Sequence, residues 1–378
     1  MIGIDATGVY GDTFGIHNYV GRLVERVLPA AQDQRFTIYC RRSVPGSFRD
    51  LHPGVDFRVA PFRKRKICEQ VWLPFQLWDS GLSVFHATYG CPVYCPVPLV
   101  LTVHDLFVKR YPERYPAWWR AYAQVAIERP ASQAAAIVTP SDATRRDVIE
   151  LLEVSPEKVT TIPLGVDQER FRPLPQEDID EVRERYGLPD RFFLHVGGFS
   201  PVKNTVRIVE AFAQVCREKE LSDVCLVFAG KKSWRHSETV EAAQRHGIED
   251  RVIFTGYFPD EDLAALYCAA ELFIYPSIIE GFGLPILEAF ACDTPVVTSN
   301  CTALPEVAGD AAVQIDPEST EMLAENLIRL ARQPDERTAL AARGRERVQD
   351  FTWERMAKKH LEVYQSVSSL LVWKGGTL

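Results

Sequence analysis

Short runs of branched and aromatic residues recur along this 378-residue chain, and each is followed by a loop and then an amphipathic stretch. The runs "IGID", "RFTIYC", "DFRVA", "LSVFHA", "PLVLTVHD", "AAIVTPS" and "KVTTIPLG" come first. A polar stretch with two prolines, "GVDQERFRPLPQED", interrupts the series. It then restarts with "RFFLHVGG", "DVCLVFAG", "RVIFTG", "LFIYPS", "TPVVTS" and "AAVQID". Strands alternating with helical patterns require parallel sheets with crossover helices on both faces, which is an α/β fold. The length also exceeds one ordinary core and suits two domains. The break near residues 165–180 divides the chain into residues 1–170 and 171–378, each a Rossmann-like, doubly wound domain. Such sheets bind ligands beyond the carboxyl ends of their strands, so two facing domains share one cleft. The last helix, from about Trp353 to Leu370, is amphipathic and can pack back on either domain. The sequence has no repeat of 20–50 residues and no low-complexity tract.

Composition narrows the function classes. With 46% hydrophobic and 25% charged residues the chain is of the soluble globular type, and a net charge of −8 argues against a general nucleic-acid binder. Nine cysteines are scattered without C-x-x-C spacing. Cys40, Cys216, Cys225 and Cys268 lie within apolar runs, as reduced core cysteines do. The chain opens as a strand without a basic leader, and no apolar run approaches membrane-spanning length. A cytoplasmic protein is expected.

Three stretches have the form of binding loops. In "IIEGFGLPILEAF", residues 278–290, Pro285 places a helix start near Leu284, directly after the strand "LFIYP". The unpaired amides of Phe282, Gly283 and Leu284 then favour an anion such as a diphosphate. Glu280 before the helix and Glu288 in its first turn can face one crevice and accept sugar or ribose hydroxyls. The same spacing also fits Glu288 complementing the helix dipole and Glu280 as a solvated loop residue. In "FLHVGGFSPVKNTVRIVEAF", Ser200 fits an N-cap with Pro201 at the first helical position, which puts Lys203 beside free amides as a point charge for phosphate. The first loop, "DATGVYGDTFGIHNYV", has Gly8, Gly11 and Gly15 but lacks G-x-G-x-x-G, so a dinucleotide site is not indicated. His104 and Asp105 sit at the carboxyl end of the strand in "VLTVHDLF", where a cleft is expected. The acidic pairs Asp178/Asp180 and Asp260/Asp262 stand at helix starts and read as N-caps in preference to metal ligands.

At this level the residues resemble a known family. "EGFGLPILE" is similar to the E-x7-E signature of retaining GT-B fold glycosyltransferases of family 4, and "HVGGFSPVKN" resembles their donor-phosphate turn. "TVHDLFVKRYPERYP", "VTPSDATRRDV", "IPLGVDQERFRP" and "FTWERMAKKHLEVY" resemble further segments of that family in the same order. The resemblance implies a carboxyl-terminal domain that holds a nucleoside diphosphate sugar, GDP-, dTDP- or UDP-linked, and an amino-terminal domain that holds the acceptor. It implies Glu280 on the donor sugar, Glu288 on the ribose, and Lys203 on the diphosphate. It further implies Gly198, Asn204 and the amides of Phe282, Gly283 and Leu284 in the donor site, with His104 reaching the sugar and Gly15 near the diphosphate. One departure stands out. Where many relatives carry an arginine in the phosphate turn this chain has Gly198 and Val202, so Arg207 or Arg251 is a candidate substitute. The family's chemistry implies retention by front-face substitution without a metal ion or cofactor.

The acceptor is less legible. "FRKRK", residues 62–66, then "VWLPFQLW" and later "YPAWWRAY" place cationic and aromatic residues in the amino-terminal half. Such a mixture suits anionic lipid or a lipid-linked glycan, with peripheral contact to the inner membrane leaflet, and equally suits a solvated loop beside core tryptophans. Asp105, Tyr10 and Trp118 are the acceptor candidates. Relatives with similar middle segments act in cell-surface polysaccharide or O-antigen assembly with mannosyl or rhamnosyl donors. The alternatives are a GT-B fold epimerase, a phosphorylase, for which no pyridoxal-phosphate lysine is apparent, or an inactive nucleotide-sugar-binding protein. Presence of Glu280, Lys203 and His104 weighs against the last of these.

Overall fold

The computed structural model of the chain describes residues 1–9, 16–231 and 236–374. Each of the apolar runs forms a strand. The first seven are β1 (Ile2–Asp5), β2 (Phe36–Arg41), β3 (Val55–Ala60), β4 (Val84–Ala87), β5 (Leu99–Thr102), β6 (Ala136–Thr139) and β7 (Val159–Thr161). The later six are β8 (Phe192–Val196), β9 (Cys225–Ala229), β10 (Val252–Gly256), β11 (Leu272–Tyr275), β12 (Val296–Ser299) and β13 (Ala312–Ile315). They build one seven-stranded sheet in the order β3-β2-β1-β4-β5-β6-β7 and one six-stranded sheet in the order β10-β9-β8-β11-β12-β13. Every pairing is parallel. Central strands such as β4, β11 and β12 are buried at every residue, because crossover helices cover both faces.

The first compact unit comprises Met1–Gly165 together with the segment from Trp353 onward, and the second comprises Val166–Thr352. The C-terminal helix, Trp353–Lys374, therefore packs in the first unit, against the helix Ile16–Ala30 and β4. Its attachment is polar as well as apolar. His360 Nδ1 lies 2.9 Å from the Met356 carbonyl and must donate to it, so Nε2 is an acceptor and takes the Tyr19 hydroxyl at 3.0 Å. Tyr19 in turn accepts from Thr102 Oγ1 at 3.0 Å, and Thr102 accepts from His86 Nε2 at 2.7 Å. His86 Nδ1 then accepts from the Tyr364 hydroxyl at 2.6 Å. One carbonyl thus fixes every proton in a chain that leaves the C-terminal helix and returns to it. All five side chains are buried.

That arrangement demands neutral imidazoles. Burial lowers the His360 pKa from 6.5 to about 4 and takes that of His86, which also faces His360 and His104, well below its usual value. A histidine whose folded pKa is depressed contributes its stability above the unfolded value and loses it as pH falls toward the folded one. Urea denaturation is therefore expected to show stability falling between about pH 7 and about pH 5, by on the order of 2 kcal/mol for each such histidine. His360→Phe should be less stable at neutral pH and show a shallower pH slope; an unchanged slope would show that this ring is not held neutral by the fold.

Candidate functional site

In the six-stranded sheet the order reverses at β8, which has β9 on one side and β11 on the other. Right-handed crossovers from β8 and β11 therefore leave on opposite faces, and a crevice opens between their carboxyl ends. Both candidate loops begin there.

The loop after β8 is held close to its neighbour. Gly197 N donates to the Ala229 carbonyl at 2.9 Å, and a Cβ on Gly230 would lie 1.8 Å from the Gly197 carbonyl oxygen, so only glycine fits at 230. The expected helix cap differs from the observed one. Pro201–Lys203 forms a 3-10 turn, Ser200 makes no side-chain capping bond, and the helix Thr205–Val215 starts only after Asn204, which is left-handed at φ 62°. Proline fixes the tight turn and asparagine tolerates the reversal, so Lys203 precedes the helix and is outside its first turn. Asn204 donates its side-chain amide to the carbonyls of Pro276 at 3.1 Å and Pro317 at 2.7 Å, which ties the loops after β8, β11 and β13 together. Gly198 has open space where a Cβ would stand.

Lys203 reaches across to the second loop. Its ammonium donates to Glu280 Oε1 at 2.6 Å and to the Tyr275 hydroxyl at 2.6 Å, and Tyr275 donates to the same Oε1 at 2.9 Å. Desolvation disfavours the ammonium, but the Glu280 charge and the two hydrogen bonds outweigh it and hold the lysine pKa above its ordinary value. Thr302 Oγ1 accepts from the Glu280 amide at 3.2 Å and fixes that loop. Beyond it Gly283, at φ 124°, leads into the helix Leu284–Ala291 with Pro285 in its first turn, as the spacing predicts. A side chain at 283 would be strained and would meet Leu304 Cδ2 at 2.7 Å. The amides of Phe282, Gly283 and Leu284 precede or open this helix, where no preceding turn supplies acceptors.

Glu288 is in the second turn of that helix, not the first, so it is not a dipole partner for the helix start. It is half-buried and accepts from Tyr267 at 2.9 Å; desolvation raises its pKa to about 7 against the pull of that bond and of Arg170. His195, at the end of β8, gives Nδ1 to the Ile274 carbonyl at 2.9 Å, while its buried Nε2 has no hydrogen-bond partner and lies 3.4 Å from the Cβ position of Gly197. Burial lowers its pKa to about 4, so Nε2 is an unprotonated acceptor beside the turn.

Of the two candidate arginines, Arg207 borders this turn through Asn204, whereas Arg251 is engaged with carbonyls elsewhere. Arg207 donates to Asn204 Oδ1 at 3.1 Å and the Pro317 carbonyl at 2.7 Å, and Arg251 to the carbonyls of Leu221 and Val224 at 2.6 Å each. The acidic pairs do not cap helices with their side chains either. Asp178 and Asp180 lie within the helix Gln176–Tyr186, which starts after Pro175. Asp262 takes Arg185 at 2.8 and 2.9 Å and Tyr186 at 2.6 Å, while Asp260 pairs with Arg170 at 3.2 Å. Among the described residues no group of three or more His, Cys, Asp or Glu could hold a metal ion. The nine cysteines are free; Cys40 is buried, whereas Cys216, Cys225 and Cys268 are only partly so.

In the first unit His104 follows β5 and gives Nε2 to the Thr88 carbonyl at 2.9 Å, which leaves Nδ1 as an acceptor. Tyr19 meets it edge-on at 4.8 Å, and burial lowers its pKa to about 4. Asp105 caps the next turn, accepting from the Phe107 amide at 3.2 Å. Trp118 is exposed, and Gly15 and Tyr10 lie outside the described residues. Two buried carboxylates here escape notice in the sequence. Burial raises Asp5 to about 6 and Glu69 to about 7, with Arg65 at 3.1 Å from Glu69 moderating the second.

Comparison with known proteins identifies the arrangement. Residues 178–347 match the Glycosyl transferases group 1 family and residues 15–170 match Glycosyltransferase Family 4. The chain is 32% identical over 294 residues to the O-antigen chain mannosyltransferase B of Escherichia coli, covering 77% of each protein. It is 33% identical to the MMP alpha-(1->4)-mannosyltransferase of Mycolicibacterium hassiacum over 71% of this chain and 65% of that one. The solved structure of WaaG, a glycosyltransferase involved in lipopolysaccharide biosynthesis, superposes with a TM-score of 0.75 at 19% identity, over 96% of this chain and 99% of that one. Sucrose-phosphate synthase from Thermosynechococcus elongatus superposes with a TM-score of 0.75 at 22% identity, over 98% and 99%. No helix among the described residues is long and apolar enough to cross a membrane. With its two parallel-sheet domains and these two adjoining matches, the chain belongs to the family 4 glycosyltransferases of GT-B fold.

Proposed function

We propose that this glycosyltransferase moves a hexosyl group, mannosyl in the first instance and rhamnosyl in the second, from a nucleoside diphosphate sugar to a glycan or lipid-linked glycan of a cell-surface polysaccharide, with retention at the anomeric carbon. The observation that carries the reading is the meeting of Lys203 and Glu280 between the carboxyl ends of β8 and β11, beside the helix start at Gly283. Relatives named for mannosyl transfer and O-antigen chains support the sugar and the pathway.

In this reading the diphosphate lies against Gly198, Lys203 and the amides of Phe282, Gly283 and Leu284. As the glycosidic bond breaks, negative charge grows on the departing phosphate, and a pre-placed ammonium with fixed amides stabilises it without reorganisation. Glu280 Oε1 stays with Lys203 and Tyr275, while Oε2 accepts donor-sugar hydroxyls. Glu288 holds the ribose. The acceptor hydroxyl attacks from the face the diphosphate leaves, and its proton passes to the departing phosphate oxygen. No nucleophilic carboxylate and no metal ion is assigned a step.

A thermal-shift screen against GDP, UDP, dTDP and ADP and their sugars, with and without EDTA, tests the donor site, since a ligand of the native state raises its melting temperature. One base is expected to give a selective shift that survives EDTA; a shift abolished by EDTA would overturn metal independence. Lys203→Ala and Glu280→Gln should each lower transfer by on the order of 10²-fold or more while circular dichroism stays native. Near-normal turnover in both would overturn the assignment, and inversion of the new linkage by nuclear magnetic resonance would overturn retention. Loss of nucleotide from the donor with no glycan product would instead indicate an epimerase.

Glu288 adds a pH signature. Its carboxylate must be ionised to accept both ribose hydroxyls, and its pKa stands near 7. Donor affinity is therefore expected to rise as pH increases through about 7, by several-fold between about pH 6 and about pH 8, and Glu288→Gln should flatten that rise. An equally steep rise in Glu288→Gln would place the titrating group elsewhere.

A further inference from the structure

A groove lies on one face of the first sheet near its β3 edge, short of the carboxyl ends of the strands. Strand register sets its floor. Thr37 pairs with Asp56 and Tyr39 with Arg58, and residues two apart along a strand share a face, so these four side chains line one surface. The helix Leu73–Leu77 forms a wall. Leu73 and Leu77 pack inward in the same core as Tyr39, while Phe75, Gln76 and the following Trp78 line the groove. Tyr94 and Asp79 complete the lining that matters here. The cavity measures about 870 Å³, within the range of small-molecule sites.

The lining is of two kinds. Phe75, Trp78 and Tyr94 are 80%, 73% and 51% exposed, so three aromatic rings meet water in one place. The others are polar groups without full partners. Tyr39 is only 2% exposed, and its ring is held edge-on by Trp72 at 5.9 Å and by Phe85 at 5.8 Å. Among the described residues its hydroxyl has no hydrogen-bond partner, and neither has the Gln76 amide. Asp79 is exposed and has no ion-pair partner among the described residues. A buried tyrosine ordinarily finds a partner for its hydroxyl. Packing alone does not explain one that is fixed by two rings and left open to a cavity.

We propose that this groove binds a neutral oligosaccharide, the assembled part of the glycan whose end receives the next sugar, a choice that rests on the glycan-transfer reading above. Sugar chemistry suits both kinds of lining at once. The C–H faces of a pyranose ring are apolar and stack on aromatic rings, while its hydroxyls both donate and accept. In the groove they donate to Asp79 and accept from Gln76 and the Tyr39 hydroxyl. Other occupants leave groups unsatisfied. A wholly apolar ligand strands Asp79, Gln76 and the Asp56–Arg58 pair without water. An anion meets Asp56 and Asp79 against one cationic side chain, Arg58, which Asp56 already holds at 2.7 Å. The volume exceeds what one sugar ring fills, so the occupant is a segment of chain. A glycan held away from its reacting end keeps that end at a high local concentration.

The test is saturation-transfer nuclear magnetic resonance on the full chain with mannotetraose, a rhamnose tetrasaccharide, mannose and rhamnose, with tryptophan emission recorded in parallel. One tetrasaccharide is expected to bind and to shift the emission, its monosaccharide binding at least roughly 10-fold more weakly. Trp78→Ala should weaken tetrasaccharide binding by roughly 10-fold and Tyr39→Phe by roughly 5-fold. The first removes an exposed ring and the second only a hydroxyl, so a native thermal transition is expected for each. Lys203→Ala should bind the tetrasaccharide like the parent, which separates the groove from the donor crevice. The donor reading fails separately, by absence of any nucleotide shift in a chain that still binds the tetrasaccharide. Binding of neither tetrasaccharide, or binding that Trp78→Ala and Tyr39→Phe both leave unchanged, overturns the proposal. So does a dimer by light scattering that Phe75→Ala with Trp78→Ala dissociates, because a second copy would then fill the groove.

Discussion

The constraint on which the rest depends is the point in each parallel sheet where strand order reverses. In a parallel sheet all carboxyl ends lie along one edge, and loops crowd that edge except where two neighbouring crossovers diverge. In the second domain this point is between β8 and β11, strands adjacent in space but separated in sequence by β9 and β10. Lys203 comes from one side of the gap and Glu280 from the other, and their contact exists only because the strands pair. The first domain repeats the scheme between β1 and β4, and there His104 is oriented by the Thr88 carbonyl just beyond the end of β4. Asp5, at the end of β1, is buried at the same edge, where Thr88 Oγ1 donates to its carbonyl at 2.6 Å and burial raises its carboxyl to about 6.

Several devices hold these loops still, and each satisfies a group that would otherwise be orphaned. Asn204 adopts a conformation few residues tolerate and repays it by bonding two carbonyls from different loops. Gly230 lets two backbones touch. The circuit from Tyr364 through His86, Thr102 and Tyr19 to His360 performs the corresponding task for the C-terminal helix. A fully satisfied buried network rigidifies, whereas one with a single missing member leaves desolvated polar atoms and costs more than an apolar core. That difference explains why the helix beginning at Trp353 joins the first domain although the sequence just before it belongs to the second.

How much of this could be read in the sequence follows from the range of the interactions. Central strands buried on both faces are continuous apolar runs and are visible directly, and the partly exposed strands β3, β7 and β10 are visible through their branched and aromatic residues. Helix starts marked by proline and glycine are visible too, as at Gly283 and Pro285. The cap at Ser200 misled because Pro201 fits both an α-helix start and a 3-10 turn, and only Asn204 in a left-handed conformation decides between them. Tyr275 was hidden inside "LFIYP", where a tyrosine reads as core; its hydroxyl gains a role only when Lys203 and Glu280 arrive from elsewhere. His195 and Glu69 were hidden for the same reason. The carboxylates at 178, 180, 260 and 262 looked like caps because local rules see the helix start, while Asp262 is claimed by Arg185 and Tyr186 from a separate helix.

The electrostatics of the donor loops follow from burial. A lone ammonium in a crevice would lose hydration and tend to deprotonate, and a lone carboxylate would tend to protonate. Glu288, where a bond from Tyr267 and the charge of Arg170 do not offset burial and the like charge of Asp260, shows the second tendency. Lys203 escapes the first because Glu280 and Tyr275 share one oxygen with it, so its charge is kept without being exposed. Removing either partner would leave the other charge buried and uncompensated, a larger penalty than the pair's own net stabilisation. In the proposed function, a phosphate brought to Lys203 would meet a cation already formed, and the reorganisation that water would require would have been completed by folding.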